Sequence, residues 1–121
     1  MLMNLIDYRP IAPSDYEAMR QFLTSQGWDR RVSDRERFAK MMARADRTVL
    51  ALDADAGRVV GCARALCDGV SNGYISMLAV AEDRRGQGIG RELVRRLMAF
   101  DAIAKEIDNG ITKEIDKGKT P

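Results

Sequence analysis

Glycines fall at alternate positions in Arg85-Gly86-Gln87-Gly88-Ile89-Gly90, flanked by Arg84 and Arg91, where a helical pattern begins. The chemistry suited to that set is anion binding. The first N–H groups of a helix lack intrahelical partners and sit at the positive end of its dipole, so a pyrophosphate can satisfy several of them together. Glycine removes the Cβ that would hold an anion off the backbone, and Arg84, Arg85 and Arg91 are expected to add mobile positive charge. Spacing narrows the ligand. The dinucleotide fingerprint G-x-G-x-x-G needs a glycine where Arg91 stands, and a Walker loop needs Gly-Lys-Ser/Thr where the chain has Arg91, Glu92 and Leu93. The competing reading is a turn that requires positive φ values and holds no ligand.

Other chemistry is limited by composition. The chain has no histidine, which excludes His-based triads, and two cysteines alone make a poor zinc site. Cys62 and Cys67 lie on one expected strand with Cα atoms roughly 16 Å apart, beyond the roughly 7 Å limit for a disulfide, so both are expected as free thiols. Cys67 reads as a small apolar residue rather than a nucleophile. Acid and base work then falls to carboxylates, Tyr, Cys, Lys or water.

The elements that must position the glycine stretch follow from periodicity. Leu5 to Arg9 reads as an opening strand, interrupted by Pro10 and Pro13. Ser14 with Glu17 fits a capping box for a first helix ending near Gly27, and Ser33 with Glu36 repeats the signal for a second. Phe38, Met41 and Met42 give that second helix its core face. Thr48 to Leu52, a turn through Gly57, and Arg58 to Cys67 read as a hairpin. The apolar run Tyr74 to Val80 suits a strand covered on both faces, and Ile89, Leu93, Val94, Leu97 and Met98 recur at helical spacing. The order is strand, two helices, three strands, helix.

At 121 residues the chain fits one globular unit, with no apolar run long enough to cross a bilayer. The N-terminus lacks a signal-peptide pattern, so the expected compartment is the cytoplasm. A net charge of +2 does not argue for nucleic acid. Arg30, Arg31, Arg35 and Arg37 cluster near the start of the second helix, where a solvated face is the default reading. Every arginine lies at or before Arg96, whereas every lysine but Lys40 lies at or after Lys105. Residues 105–112 are nearly repeated in 113–120, and this segment reads as a fraying continuation of the last helix, with a short strand at Ile111 to Ile115. The expected organisation is a domain over residues 1–100 and an atypical tail over 101–121.

Between a strand and a helix, Arg85-Gly86-Gln87-Gly88-Ile89-Gly90 is an R/Q-x-x-G-x-G/A signature, and over roughly residues 5 to 98 the chain resembles the GNAT-type N-acetyltransferases. The resemblance implies an α+β fold, a mostly antiparallel central sheet flanked by helices. It implies that Arg85, Gly86, Gln87, Gly88, Ile89, Gly90 and Arg91 hold the pyrophosphate of coenzyme A. Main-chain groups of Leu78, Ala79 and Val80 would pair with pantetheine as an added strand. A bulge in that strand would aim the Leu78 N–H at the acetyl carbonyl. The implied reaction moves an acetyl group from acetyl-CoA to an amine, and Glu82 is the candidate to take the amine proton. Trp28 lies where the family varies its acceptor pocket.

The resemblance also implies a further strand, helix and two strands after Phe100, for which 21 residues remain, so the fold is expected to be C-terminally incomplete. No tyrosine follows Tyr74 to protonate a leaving thiolate. The alternative to an enzyme is a non-catalytic coenzyme A-binding or self-associating fragment. An open, apolar strand edge leads to an expectation of homo-oligomers with a small-molecule or peptide amine as partner, and of no nucleic acid, membrane or metal.

Overall fold

The computed structural model describes residues 5–68 and 73–98. Its order is β1 (Ile6–Arg9), α1 (Tyr16–Leu23), α2 (Asp29–Val32), α3 (Arg35–Ala43), β2 (Arg47–Asp53), β3 (Arg58–Cys67), β4 (Gly73–Val80) and α4 (Ile89–Leu97). The strands form one antiparallel sheet in the order β1-β2-β3-β4, and the fold is α+β as expected. The expected tail elements lie outside the described residues. Among the described residues, no helix is long and apolar enough to cross a membrane.

Period-2 alternation divides the two faces of the sheet. Gly61 on β3 approaches Ile89 and Leu93, so its odd-numbered neighbours face α4. Cys62, Arg64 and Leu66 therefore face the side covered by α1, α2 and α3. The first face is sealed by Ile89, Leu93 and Leu97, all 3% exposed or less, and each such side chain contributes about 1.5–3 kcal/mol relative to an exposed one. The second is sealed by Met19, Leu23, Val32, Phe38 and Met42. Phe38 and Met42 thus pack in the core as expected, with Met41 partly buried against them.

The helix starts differ from their expected form. A single 3-10 turn, Pro13–Asp15, precedes α1. Its Asp15 carboxylate accepts from Ala12 N at 2.7 Å and pairs with Arg9, so Ser14 and Glu17 form no capping box. Glu17 instead accepts from Arg20 and Gln21. Asp34 rather than Ser33 caps α3, accepting from Arg37 N at 3.0 Å. Between the two helices, a π turn at Thr24–Trp28 with Gly27 at φ 93° redirects the chain into α2, which periodicity did not predict. Four residues are too few to establish a helical period.

Candidate functional site

The site begins with an irregularity in β4. Cys62 pairs with Ala79 and Arg64 with Ser76, so Ala63 faces two residues, Met77 and Leu78. That is a β-bulge. Met77 holds φ at 57°, and among the described residues it alone is a non-glycine with positive φ, a conformation that costs an L-residue roughly 1–2 kcal/mol. It persists because Met77 is buried at 1% exposure and its carbonyl oxygen accepts from the Cys62 thiol at 3.7 Å. Burial pushes that thiol up to about 12, so Cys62 is not a nucleophile. Cys67 is a free thiol as well.

Beyond the bulge, Ala81 donates its N–H to Val60 O at 2.8 Å. The alternation of an antiparallel ladder then turns the main-chain groups of Val80 and Leu78 away from β3, and those of Ala79 toward it. Among the described residues no strand covers this outer edge. The Val80 carbonyl accepts from Arg85 Nε at 3.2 Å, so Arg85 lies along the edge itself. Of Leu78, Ala79 and Val80, the first and third present free-edge backbone, whereas Ala79 is spent on the sheet.

A 3-10 turn, Glu82–Arg84, leads out of β4. Glu82 is exposed on it. Arg84 is not the mobile cation expected from sequence. Its guanidinium forms an ion pair with Asp53 at the end of β2, with side-chain exposures of only 12% and 10%. Asp53 also accepts from the backbone N–H of Asp55 and Ala56, at 2.9 and 3.1 Å. Its carboxyl is held below its ordinary range, chiefly by the Ala56 N–H and then by Arg84. A second ion pair, Arg58–Asp83 at 3.1 Å, lies beside it. The turn is therefore lashed to the β2–β3 hairpin at two points.

Next comes the glycine stretch. Gly86 and Gly88 have φ values of 83° and 85°, and a Cβ on either would meet nothing within 4 Å. Backbone conformation, not crowding inside the chain, demands glycine there, and the space before these residues is open. Gly88 precedes α4 with no side-chain cap, and the first helical bond is Glu92 N to Gly88 O at 3.0 Å. The N–H groups of Ile89, Gly90 and Arg91 are consequently left without an acceptor among the described residues. Such a row of free donors at the start of a helix has the chemistry that suits an anion.

The remaining expected residues divide by surroundings. Arg85, Gln87 and Arg91 are exposed around the open space. The Ile89 side chain is buried under the sheet, so that residue offers only its backbone. Gly90 has ordinary helical geometry, and a Cβ there would contact Val80 Cγ2 at 3.5 Å. Its position brings α4 against β4. Glu92 is bonded by Arg95 and Arg96, which hold its carboxyl at about 2.

Two positioning residues, Gly61 and Asp53, escaped the sequence reading, and a third, Arg84, was read as a mobile cation. Gly61 is the tightest approach in the site: a Cβ there would lie 3.2 Å from Ala79 O, Ile89 Cγ2 and Leu93 Cδ1. Asp53 and Arg84 form a pair across 31 positions of sequence. Asp53 heads a turn and could have been found as a turn-capping aspartate, but its partner could not.

Residues 13–116 match the sequence profile of the Acetyltransferase (GNAT) family. The chain belongs to that family. Among solved structures, it is similar to SA2161 of meticillin-resistant Staphylococcus aureus, with a TM-score of 0.67 and 25% identity over 87% of this chain and 71% of that one. It is also similar to the GNAT family acetyltransferase SP0256 from Streptococcus pneumoniae TIGR4, with a TM-score of 0.64 and 27% identity over 84% and 68% of the two chains. An aminoglycoside 6'-N-acetyltransferase, determined as its complex with coenzyme A, shares the fold at a TM-score of 0.66 and 23% identity over 83% and 56%. No curated protein sequence matches the chain.

Proposed function

We propose that this GNAT domain transfers an acetyl group from acetyl-CoA to an amine. The observation that carries the reading is the pairing of an uncapped, glycine-led helix start with a bulged strand edge immediately before it. The free N–H groups of Ile89, Gly90 and Arg91 would hold the pyrophosphate, with Arg85, Gln87 and Arg91 around it and Gly86 and Gly88 leaving it room. The outward main chain of Leu78 and Val80 would receive the amide-bearing arm, and Arg85 would yield or share the Val80 carbonyl. The fit is chemical: donors and positive charge meet a dianionic group, and a strand edge meets amides. The coenzyme A complex of the aminoglycoside 6'-N-acetyltransferase supports the same ligand class.

In the transfer step the amine nitrogen attacks the thioester carbonyl, the C–N bond forms, the C–S bond breaks, and coenzyme A departs as a thiolate that takes up, directly or through water, the proton the nitrogen sheds. Negative charge gathers on the carbonyl oxygen, and the Leu78 N–H beyond the bulge is the donor assigned to it. Only a neutral amine can attack, and an alkylammonium of pKa about 10.4 must first lose its proton. Glu82, exposed on the turn after β4, is assigned that proton, directly or through water.

Calorimetric titration with coenzyme A, beside thiol release from acetyl-CoA with a panel of amines, tests the proposal. Binding with turnover is expected, and Gly88→Glu should abolish both by adding bulk and negative charge at the helix start. Binding without turnover would favour a coenzyme A-binding module instead. Absence of binding would overturn both.

A further inference from the structure

Arg64 projects from β3 onto the face shared with α2, paired across the sheet with Ser76, the residue just before the bulge. Its Nε is buried and has no hydrogen-bond partner. Buried donors of that kind are normally satisfied, and leaving one unpaired costs free energy. Burial, and then the charge of Arg31 of α2, hold the Arg64 guanidinium below its ordinary pKa, with Tyr74 of β4 acting in the opposite sense. Arg31 in turn stacks over Trp28, 5.5 Å from the ring centroid. Neither arginine forms an ion pair among the described residues, although Arg9, Arg20, Arg35, Arg58, Arg84, Arg95 and Arg96 all do.

Two guanidinium groups that repel each other, one of them partly buried with an idle donor, have one simple electrostatic remedy. An anion between them removes the repulsion and accepts the idle N–H, and guanidinium geometry suits a carboxylate. The place matters as much as the charge. Ser76 and Leu78 are two positions apart on β4, at most roughly 7 Å since the strand bulges between them, so a carboxylate near Arg64 lies within a short molecule's reach of the Leu78 edge. Trp28 lies beneath the Arg31 guanidinium, and Tyr74 is two positions before Ser76 on β4.

We infer that the acceptor amine carries a carboxylate, and that Arg64 and Arg31 bind it while its amine faces the Leu78 edge. This rests on the acetyltransferase reading above and adds the acceptor's chemical class. The test compares matched acceptors with acetyl-CoA at saturation: alanine against ethylamine, 4-aminobutyrate against butylamine, and 5-aminovalerate against pentylamine. For the best pair the acid is expected to have a kcat/KM at least about tenfold higher, carried mainly by KM, as loss of a charged hydrogen bond implies. Arg64→Gln should bring that ratio close to one while leaving coenzyme A affinity unchanged. Arg31→Gln, at an exposed position of α2, should lower the ratio in the same direction.

A ratio at or below one in every pair, or a ratio unmoved in both variants, would overturn the inference. If coenzyme A binds but no amine is acetylated, the transfer reading fails, and the anion site is read separately. Trp28 is the only tryptophan, so its fluorescence reports on Arg31. Butyrate titrated into the coenzyme A-loaded wild type should give a saturable change that butyramide does not, and Arg64→Gln should remove it. Equal responses to the two probes would overturn the site.

Discussion

Gly88 can be changed in two ways that separate its conformational role from its ligand role. Its φ of 85° lies in the left-handed region, and a Cβ there would meet nothing within 4 Å. The whole cost of Gly88→Ala to folding is therefore backbone strain, about 1–2 kcal/mol. For a domain of this size that is a fall in Tm of about 4–8 °C per kcal/mol by scanning calorimetry. Asparagine tolerates the same conformation, so Gly88→Asn should recover most of that loss. Coenzyme A affinity should not recover with it. Any side chain at Gly88 stands in the open space before the free N–H groups of Ile89, Gly90 and Arg91. Forfeiting one hydrogen bond to a charged ligand costs about 1.5–3 kcal/mol, roughly 10- to 100-fold in Kd. The expected result is a stable Gly88→Asn protein that binds coenzyme A at least about tenfold more weakly than wild type by calorimetry. Wild-type affinity in that variant would mean that glycine serves the turn alone, and the phosphate reasoning would be refuted.

Further outcomes concern what holds the loop in place. Gly61→Ala forces a Cβ within 3.2 Å of a backbone oxygen and two side chains, so it should destabilise by about 1–3 kcal/mol in denaturant unfolding, and weaken coenzyme A binding although Gly61 would not touch the ligand. Arg84→Gln should lower Tm and coenzyme A affinity together by freeing the turn from Asp53, whereas an arginine that contacts phosphate directly would lower affinity at constant Tm. Stability should be level above pH about 5 and fall as pH drops from about 4.5 toward 2. Glu17 and Glu92 both titrate at about 2 in the fold, held there chiefly by Arg20 and Arg95, below the ordinary 4.5. Over that range the unfolded chain takes up protons that the fold excludes, so acid favours unfolding. Urea melts across the range check it, and a midpoint independent of pH would contradict it.

Much of the architecture was legible because the strands are short and bounded by turn residues. Arg58–Cys67 was read with the bounds it has, and Tyr74–Val80 and the helix after Gly88 were each placed within a residue. The fold class was implied by the family resemblance, which their order helped to carry. Helix starts were less legible, because several Asp and Ser residues compete for each cap: Asp15 and Asp34 took roles assigned to Ser14 and Ser33. The glycine loop was visible as a local motif, and its positive φ values fit both the turn and the anion reading. The connections that hold it were not visible. The Asp53–Arg84 pair, the Gly61 contact with α4 and the unmatched Arg64–Arg31 pair join residues distant in sequence, and only the packing of helices and turns on the sheet brings them together. The expected mobility of Arg84 failed for that reason.

The central claim is that coenzyme A sits on the backbone donors of the α4 start and on the bulged edge of β4. Amide chemical shifts of the 15N-labelled protein during titration with coenzyme A test it residue by residue. The account predicts saturable shifts concentrated at Gly86, Gly88, Ile89, Gly90, Arg91 and Leu78, with Ala79 moving less because its N–H already serves the sheet. Shifts confined to another surface, or none at saturating coenzyme A, would contradict it.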